Sequence, residues 1–309
     1  MDEIRELPPE INFPVLSHDD RPFEQYIADA HASITVLVAD EIAGFRDSDS
    51  LTPAKTYSLG LKGKLIRPIL GQMSAELLDV PVTDIGRFLI AIEKLHTASL
   101  DIDDIQDKAL MRRGAQALHR EFSTDTAILS TVSFIGSAFT DLASLRSRFP
   151  PERVGRLVEY CGEKLADLAD GQHRDLTLSN RPIKEELEEV AILKTGPTLE
   201  MGMVGVAILA GSENKTHRNF KEYARHLALA FQTKDDVIDV TADPETTGKD
   251  CGLDANNGRL TMIDVCGGVK EAIAYMETER IRAKTAALQF PGNPRRFLSI
   301  VDYVVNQAF

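Results

Sequence analysis

The chain has 309 residues, 43% apolar and 27% charged, a composition that suits a folded domain with room for a large core. Acidic residues outnumber basic ones 48 to 35, and the resulting formal charge of −13 argues against a bulk affinity for nucleic acid. Cys161, Cys251 and Cys266 form no CxxC pair and no metal-type spacing with histidine, which excludes a disulfide framework and fits a reduced, cytoplasmic setting.

The N-terminus, Met1 to Glu6, is polar and acidic, unlike a signal or transit peptide. A proline-punctuated arm over residues 1–22 precedes a helix expected at 23–45. Helical periodicity then predicts helices at 62–77, 84–111, 124–147, 152–171, 184–211, 215–241, 267–288 and 293–307. Asp-Ser-Asp-Ser at 47–50 and Pro150-Pro151 read as breaks between them. Nothing alternates with period two for long enough to predict a sheet, and the longest apolar run, Met201 to Ala210, is too short to predict a membrane span. No repeat or low-complexity linker divides the chain. One all-α domain over 1–309 is the expectation.

Two Asp-Asp-x-x-Asp clusters interrupt this apolar pattern, Asp103-Asp104-Ile105-Gln106-Asp107 and Asp235-Asp236-Val237-Ile238-Asp239. On a helix Asp103 and Asp107 share a face, as do Asp235 and Asp239, with Asp104 roughly 60° to one side. Their flanks are Leu100, Ile102, Ile105, Val237 and Ile238, where an unpaired carboxylate is costly. Carboxylates in such numbers point to a hard cation, Mg²⁺ above all, which takes oxygen ligands and keeps waters for a phosphate to displace. An EF-hand reading fails, since counting from Asp101 the sixth and twelfth positions are Gln106 and Arg112 rather than glycine and glutamate.

Cations accompany the acids: Lys64 and Arg67 three apart, Arg112-Arg113-Gly114 after the first cluster, Lys194-Thr195, and Gly248-Lys249-Asp250. Arginine presents a fork that suits phosphate and lysine a compact charge. Residues 241–257 are rich in Asp, Thr, Gly and Asn, so a surface loop, placed where a lid would sit, is expected there.

The motifs GKLIRP (63–68), HTASLDIDDIQDKALMRRG (96–114), GQHRDL (171–176), KTGPTLE (194–200), FQTKDDVID (231–239) and GRLT (258–261) occur in one order along nearly the whole chain. In this set the chain resembles the trans-isoprenyl diphosphate synthases. The resemblance implies a bundle of long helices around a deep cavity, a homodimer or higher homo-oligomer, and isopentenyl and allylic diphosphates as substrates. It implies three Mg²⁺ held by Asp103, Asp104, Asp107, Asp235 and Asp239, with Asp236 in a supporting part. By the same likeness Arg112, Lys194 and Lys249 hold the allylic diphosphate, while Lys64, Arg67, His96 and Arg113 form a metal-free isopentenyl site. Thr195 and Gln232 match positions that flank the reacting carbons.

Four positions depart from the family pattern: Asp101 for an aliphatic residue, Leu65 for a basic one, Gly196-Pro197 for alanine, and Arg259 for lysine. In such enzymes product length depends on how far the growing tail descends beside the first aspartate helix. Here Ala98 and Ser99 are small, so a geranylgeranyl product is expected, with Leu95 and Ile92 setting the floor. The likeness extends to longer-chain synthases and to the prenyltransferase half of fungal bifunctional terpene synthases. A terpene cyclase would not need Lys64, Arg67, His96 and Arg113, and a catalytically silent partner subunit would be expected to have lost aspartates.

Overall fold

A computed structural model of the chain describes residues 21–178, 182–241 and 260–306. Lys249, the expected lid over 241–257 beyond Thr241, Arg259 and residues 1–20 of the arm lie outside the described residues. The described chain is a helical assembly: α1 (Phe23–Ala43), α2 (Thr52–Gly60), α3 (Ile66–Leu77), α4 (Gly86–Asp107), α5 (Leu118–Glu121), α6 (Thr124–Ser144), α7 (Pro151–Thr177), α8 (Lys184–Ala210), α9 (Asn214–Thr241), α10 (Met262–Cys266), α11 (Val269–Ala287) and α12 (Arg295–Asn306). The broadest packings join α7 to α8, α9 to α11 and α4 to α6, and one core cluster runs from Tyr26 in α1 to Val304 in α12.

Most long helices follow their predicted spans closely, but α7 runs to Thr177, six residues past its expected end at 171, and α2, α5 and α10 were not anticipated. Each has nine residues or fewer, too short for a 3.6-residue period to show. The helix expected from 62 begins at Ile66, because Leu65 takes a left-handed backbone (φ 51°, ψ 29°) as its N-cap. The helix expected to reach 111 stops at Asp107, with Lys108 left-handed at its end.

Beyond it Met111–Arg112 (β1) pairs antiparallel with Ala115–Gln116 (β2) around Arg113-Gly114. Arg113 and Gly114 both have positive φ, 53° and 77°, as a tight hairpin turn requires. Thus Arg112 and Arg113 come back over α4 on a hairpin rather than continuing a helix.

Two helical stretches, 124–147 and 184–210, are long and apolar enough to cross a membrane, against the expectation drawn from the longest apolar run. In α8 78% of that window is buried, as befits a core helix that is apolar all round. Helix α6 buries only 33% of it and leaves Ile128, Leu129 and Val132 exposed.

Candidate active site

α4 and α9 bring their aspartate clusters to the rim of a cavity of about 1300 Å³. Asp103, Asp107, Asp235 and Asp239 all line it, together with Lys64, Arg67, His96, Arg112, Arg113, Lys194, Thr195 and Gln232. Residues from eight stretches of sequence therefore converge on one space. The rest of the wall is largely apolar, with Ala98, Ile102, Ile135, Leu165 and Ala166 among its residues.

The carboxylates of α4 are already paired. Lys194 Nζ lies 3.1 Å from Asp103 Oδ1 and 2.9 Å from Asp175 Oδ2. Arg112 Nε donates to both oxygens of Asp104 at 2.9 and 3.1 Å, and its Nη2 is 3.5 Å from Asp103. Burial pushes the Asp103 carboxyl up, yet Lys194 and Arg112 outweigh it and hold the pKa below the usual range. At Asp104 burial prevails and the pKa is raised, although Arg112 pulls the other way. Asp104 is 1% exposed and does not line the cavity, so it sits beneath Arg112 and behind Asp103.

On α9, Asp236 also lines the cavity but is already engaged: it accepts from Gln232 Nε2 (3.0 Å) and from the Met262 amide (2.8 Å), fastening α10 to α9. The Thr195 hydroxyl donates to Gln232 Oε1 at 3.4 Å, so this pair bridges α8 and α9 across the cavity. Asp235 Oδ1 is buried and meets no donor among the described residues.

The second basic group lies on the α3 side. Arg67 donates through Nε to Thr198 Oγ1 (2.8 Å), and burial lowers its pKa to about 10, which leaves it charged at neutral pH. His96 is 7% exposed; burial, then Arg67 and Arg113, hold its pKa well below the ordinary imidazole value. A neutral ring that can donate a hydrogen bond is the result.

Leu95, expected to help set the floor of the channel, stands behind its lining. It is fully buried in the core with Ile92, Phe134 and Ala138, and it does not line the cavity. On α6 and α7 the lining residues include Thr131, Ile135, Gly162 and Leu165. α4 packs broadly on α6, and Leu95 shares the core with Phe134 and Ala138 of that helix.

Gln172 and Asp175 were given no role from sequence, although both stand in the GQHRDL segment. Gln172 Nε2 donates to Asp103 Oδ1 (2.9 Å) and to Gln106 Oε1 (2.8 Å). Their three-residue spacing on one helix face was the available signal. Glycine at 171 makes the contact possible, since a Cβ there would stand 2.5 Å from the Leu193 carbonyl carbon. Asp101 was also unassigned: Ser58 of α2 donates to it at 2.8 and 2.9 Å, and burial raises its pKa to about 7.

An all-α cavity with acid clusters on two facing helices and cations between them defines a diphosphate-handling synthase fold. The polyprenyl synthetase family model matches residues 48–285, and the chain belongs to that family. It is a trans-prenyltransferase with the isoprenoid synthase fold. The chain is 30% identical over 297 residues to the Arabidopsis thaliana protein "Geranylgeranyl pyrophosphate synthase 10, mitochondrial", covering 93% of this chain and 86% of that one. It is also 30% identical over 267 residues to a farnesyl diphosphate synthase of Geobacillus stearothermophilus, covering 82% and 88%. Among solved structures, a geranylgeranyl pyrophosphate synthetase from Geoglobus acetivorans superposes with a TM-score of 0.81 at 24% identity, over 92% of this chain and 99% of that one.

Proposed function

We propose that the protein condenses isopentenyl diphosphate head-to-tail with allylic diphosphates, using Mg²⁺, and releases geranylgeranyl diphosphate. One observation carries the reading: a single cavity joins an acidic rim, a separate basic pocket and an apolar channel. A terpene cyclase has no use for the basic pocket of Lys64, Arg67, His96 and Arg113. All six cluster aspartates are present, which counts against a silent partner subunit.

The site fits a hard cation by its chemistry. The donors are all carboxylate oxygens, and Asp235 Oδ1 is a buried oxygen with no donor among the described residues. No three acidic, His or Cys groups among the described residues close up enough to hold an ion by themselves. Bound Mg²⁺ would be shared between Asp103 and Asp107 on one side, Asp235 and Asp239 on the other, and a diphosphate between them, with Asp104 behind. Such ions would neutralise the charge that develops on a departing diphosphate.

The chain's own residues supply the rest. Arg112 and Lys194 donate to oxygens of the departing diphosphate, where negative charge grows as the carbon–oxygen bond breaks. His96, Lys64, Arg67 and Arg113 hold the second diphosphate so that the isopentenyl double bond faces the allylic carbon. Thr195 and Gln232 direct oxygen dipoles at the carbocation. Water would quench that cation, and the apolar wall of Ala98, Ile135 and Leu165 excludes it.

Relatives of equal identity carry farnesyl and geranylgeranyl names, so chain length turns on the channel. Small Ala98 and Ser99 at its entrance favour the twenty-carbon product. The exposed apolar face of α6 (Ile128, Leu129, Val132) supports a homodimer built on that helix. Incubation with Mg²⁺, dimethylallyl diphosphate and isopentenyl diphosphate, followed by mass analysis, tests the whole. A product that stops at fifteen carbons overturns the chain length; a hydrocarbon from the allylic substrate alone overturns the synthase reading.

A further inference from the structure

Glu93 lies on α4, one turn before His96, and is 2% exposed. It does not line the cavity. A carboxylate so enclosed is costly unless cations attend it. Its Oε1 is 3.6 Å from Arg113 Nη2, while Oε2 is buried and meets no donor among the described residues. Burial raises its pKa, and Arg113 and then Arg67 pull it back down.

The two arginines would otherwise repel each other. Arg113 lowers the Arg67 pKa, and among the charges around Arg67 it is Glu93 that most offsets the loss from burial. Arg113 has two further restraints. Its Nη1 donates to the Leu61 carbonyl at 3.3 Å, and its guanidinium lies on Gly63, where a Cβ would stand 2.6 Å from Cζ. The Gly63 carbonyl in turn accepts from His31 Nε2 of α1 at 2.8 Å. On the other side Thr198 holds Arg67. The loop before α3 and the hairpin after α4 thus meet over one buried carboxylate.

We propose that Glu93 is a positioning residue for the metal-free diphosphate pocket. From behind the wall it holds Arg113 and Arg67 together, aimed at one diphosphate. The inference rests on the proposed function for the identity of that diphosphate, and it names a residue that the function itself does not require to touch substrate. Glu93 is a poor candidate for a purely structural brace. One of its oxygens is unused, and a neutral glutamine of the same shape would cost less to bury.

The test compares wild type with Glu93→Gln and Glu93→Asp. In elongation assays, Glu93→Gln raises the KM for isopentenyl diphosphate about tenfold or more, the loss of one charge from a buried pair that orients a binding arginine. The KM for the allylic substrate and kcat at saturation stay within about threefold, below the half-decade that ~0.7 kcal/mol represents. Glu93→Asp keeps the charge but draws it back from Arg113, and it gives an intermediate KM. Should Glu93→Gln fail to fold, the aspartate variant carries the test by the same selective rise.

Calorimetric titration of isopentenyl diphosphate into metal-free protein separates this inference from the function. A wild type that elongates, with a Glu93→Gln variant that binds as tightly, overturns the positioning role. So does an equal rise in both KM values, which is what a general structural defect gives. A wild type that does not elongate, with binding still weakened in Glu93→Gln, overturns the synthase reading and leaves the pocket inference standing.

Discussion

Lys94 adjoins Glu93 on α4 but serves the fold, and its removal has a calculable outcome. Its ammonium is 1% exposed and lies 2.6 Å from both Glu41 of α1 and Asp141 of α6, whose side chains are 14% and 12% exposed. Lys94→Met keeps most of the apolar stem and leaves two enclosed carboxylates facing each other. Breaking a buried pair in this way costs about 3–5 kcal/mol. Arg87 remains 3.0 Å from Glu41 and 3.5 Å from Asp141, so the lower end, about 3 kcal/mol, is expected. With ~2.1 cal/mol/K of unfolding entropy per residue over 309 residues, that is a fall of roughly 5 °C in Tm. Arg87→Ala, whose side chain is 39% exposed, should cost under about 1 kcal/mol. The pH dependence gives a second signature. Burial already raises the Asp141 pKa, and Lys94 opposes the rise. Without Lys94 the folded state binds protons more readily than the unfolded chain, so the variant's stability falls as pH rises. Urea unfolding at pH 5 and pH 7.5 should therefore show a larger deficit at the higher pH. A loss under about 1 kcal/mol, or one equal at both pH values, refutes the argument.

Asp103→Ala should abolish elongation while circular dichroism stays native, because Lys194 keeps Asp175 and Arg112 keeps Asp104; retained turnover overturns the metal assignment. A Cβ at Gly162 would meet no atom within 4 Å, so Gly162→Ala should stabilise α7 by about 0.5–1 kcal/mol in thermal unfolding. Gly162→Phe should shorten the product by at least one isoprene unit, and an unchanged mass spectrum would place the tail elsewhere. Thr198→Val removes the acceptor of Arg67 and should raise the isopentenyl diphosphate KM about tenfold, with the allylic KM unmoved. His96 has a folded pKa held below its unfolded value, so its contribution is intact above about pH 6.5 and is lost as pH falls through and below that point. His96→Asn should flatten the acid limb of stability between pH 6.5 and 5, and an unaltered limb argues against a buried neutral ring.

The long helices and their polar punctuation were legible because a 3.6-residue period needs only length to show itself. The aspartate clusters stood out because carboxylates rarely occur among Leu100, Ile102, Val237 and Ile238 without a partner. What escaped was fixed by tertiary placement. Arg113-Gly114 lacks the Asn-Gly or Asp-Gly signature of a tight hairpin, so the return of Arg112 over Asp104 could not be read. Leu95 shares a helical face with Ala98 and Ser99, and only the structure shows that Ala98 and Ser99 line the cavity while Leu95 does not. Glu93 and Lys94 look alike in sequence as charges on an apolar helix. Their partners lie on other elements, Arg113 in one case, Glu41 and Asp141 in the other.

The pairing at the rim bears on how the site opens for chemistry. Asp103 is held by Lys194, Gln172 and Arg112 together, and Asp104 by Arg112. Four carboxylates facing a cavity without counter-charges would repel, and these cations relieve the strain in the metal-free state. A divalent ion held by Asp103 would compete with Lys194 and Arg112 for that carboxylate, and both would then have charge to give to a diphosphate. Metal and diphosphate binding would thereby be coupled through the same two side chains: an ion at Asp103 would free donors for the anion, and an anion would draw those donors off the carboxylate. Lys194 also has Asp175 at 2.9 Å, a second anchor that would remain if Asp103 were taken by an ion. The second cluster has no such latch at Asp235 Oδ1 among the described residues, so a cation could take that oxygen without breaking a pair.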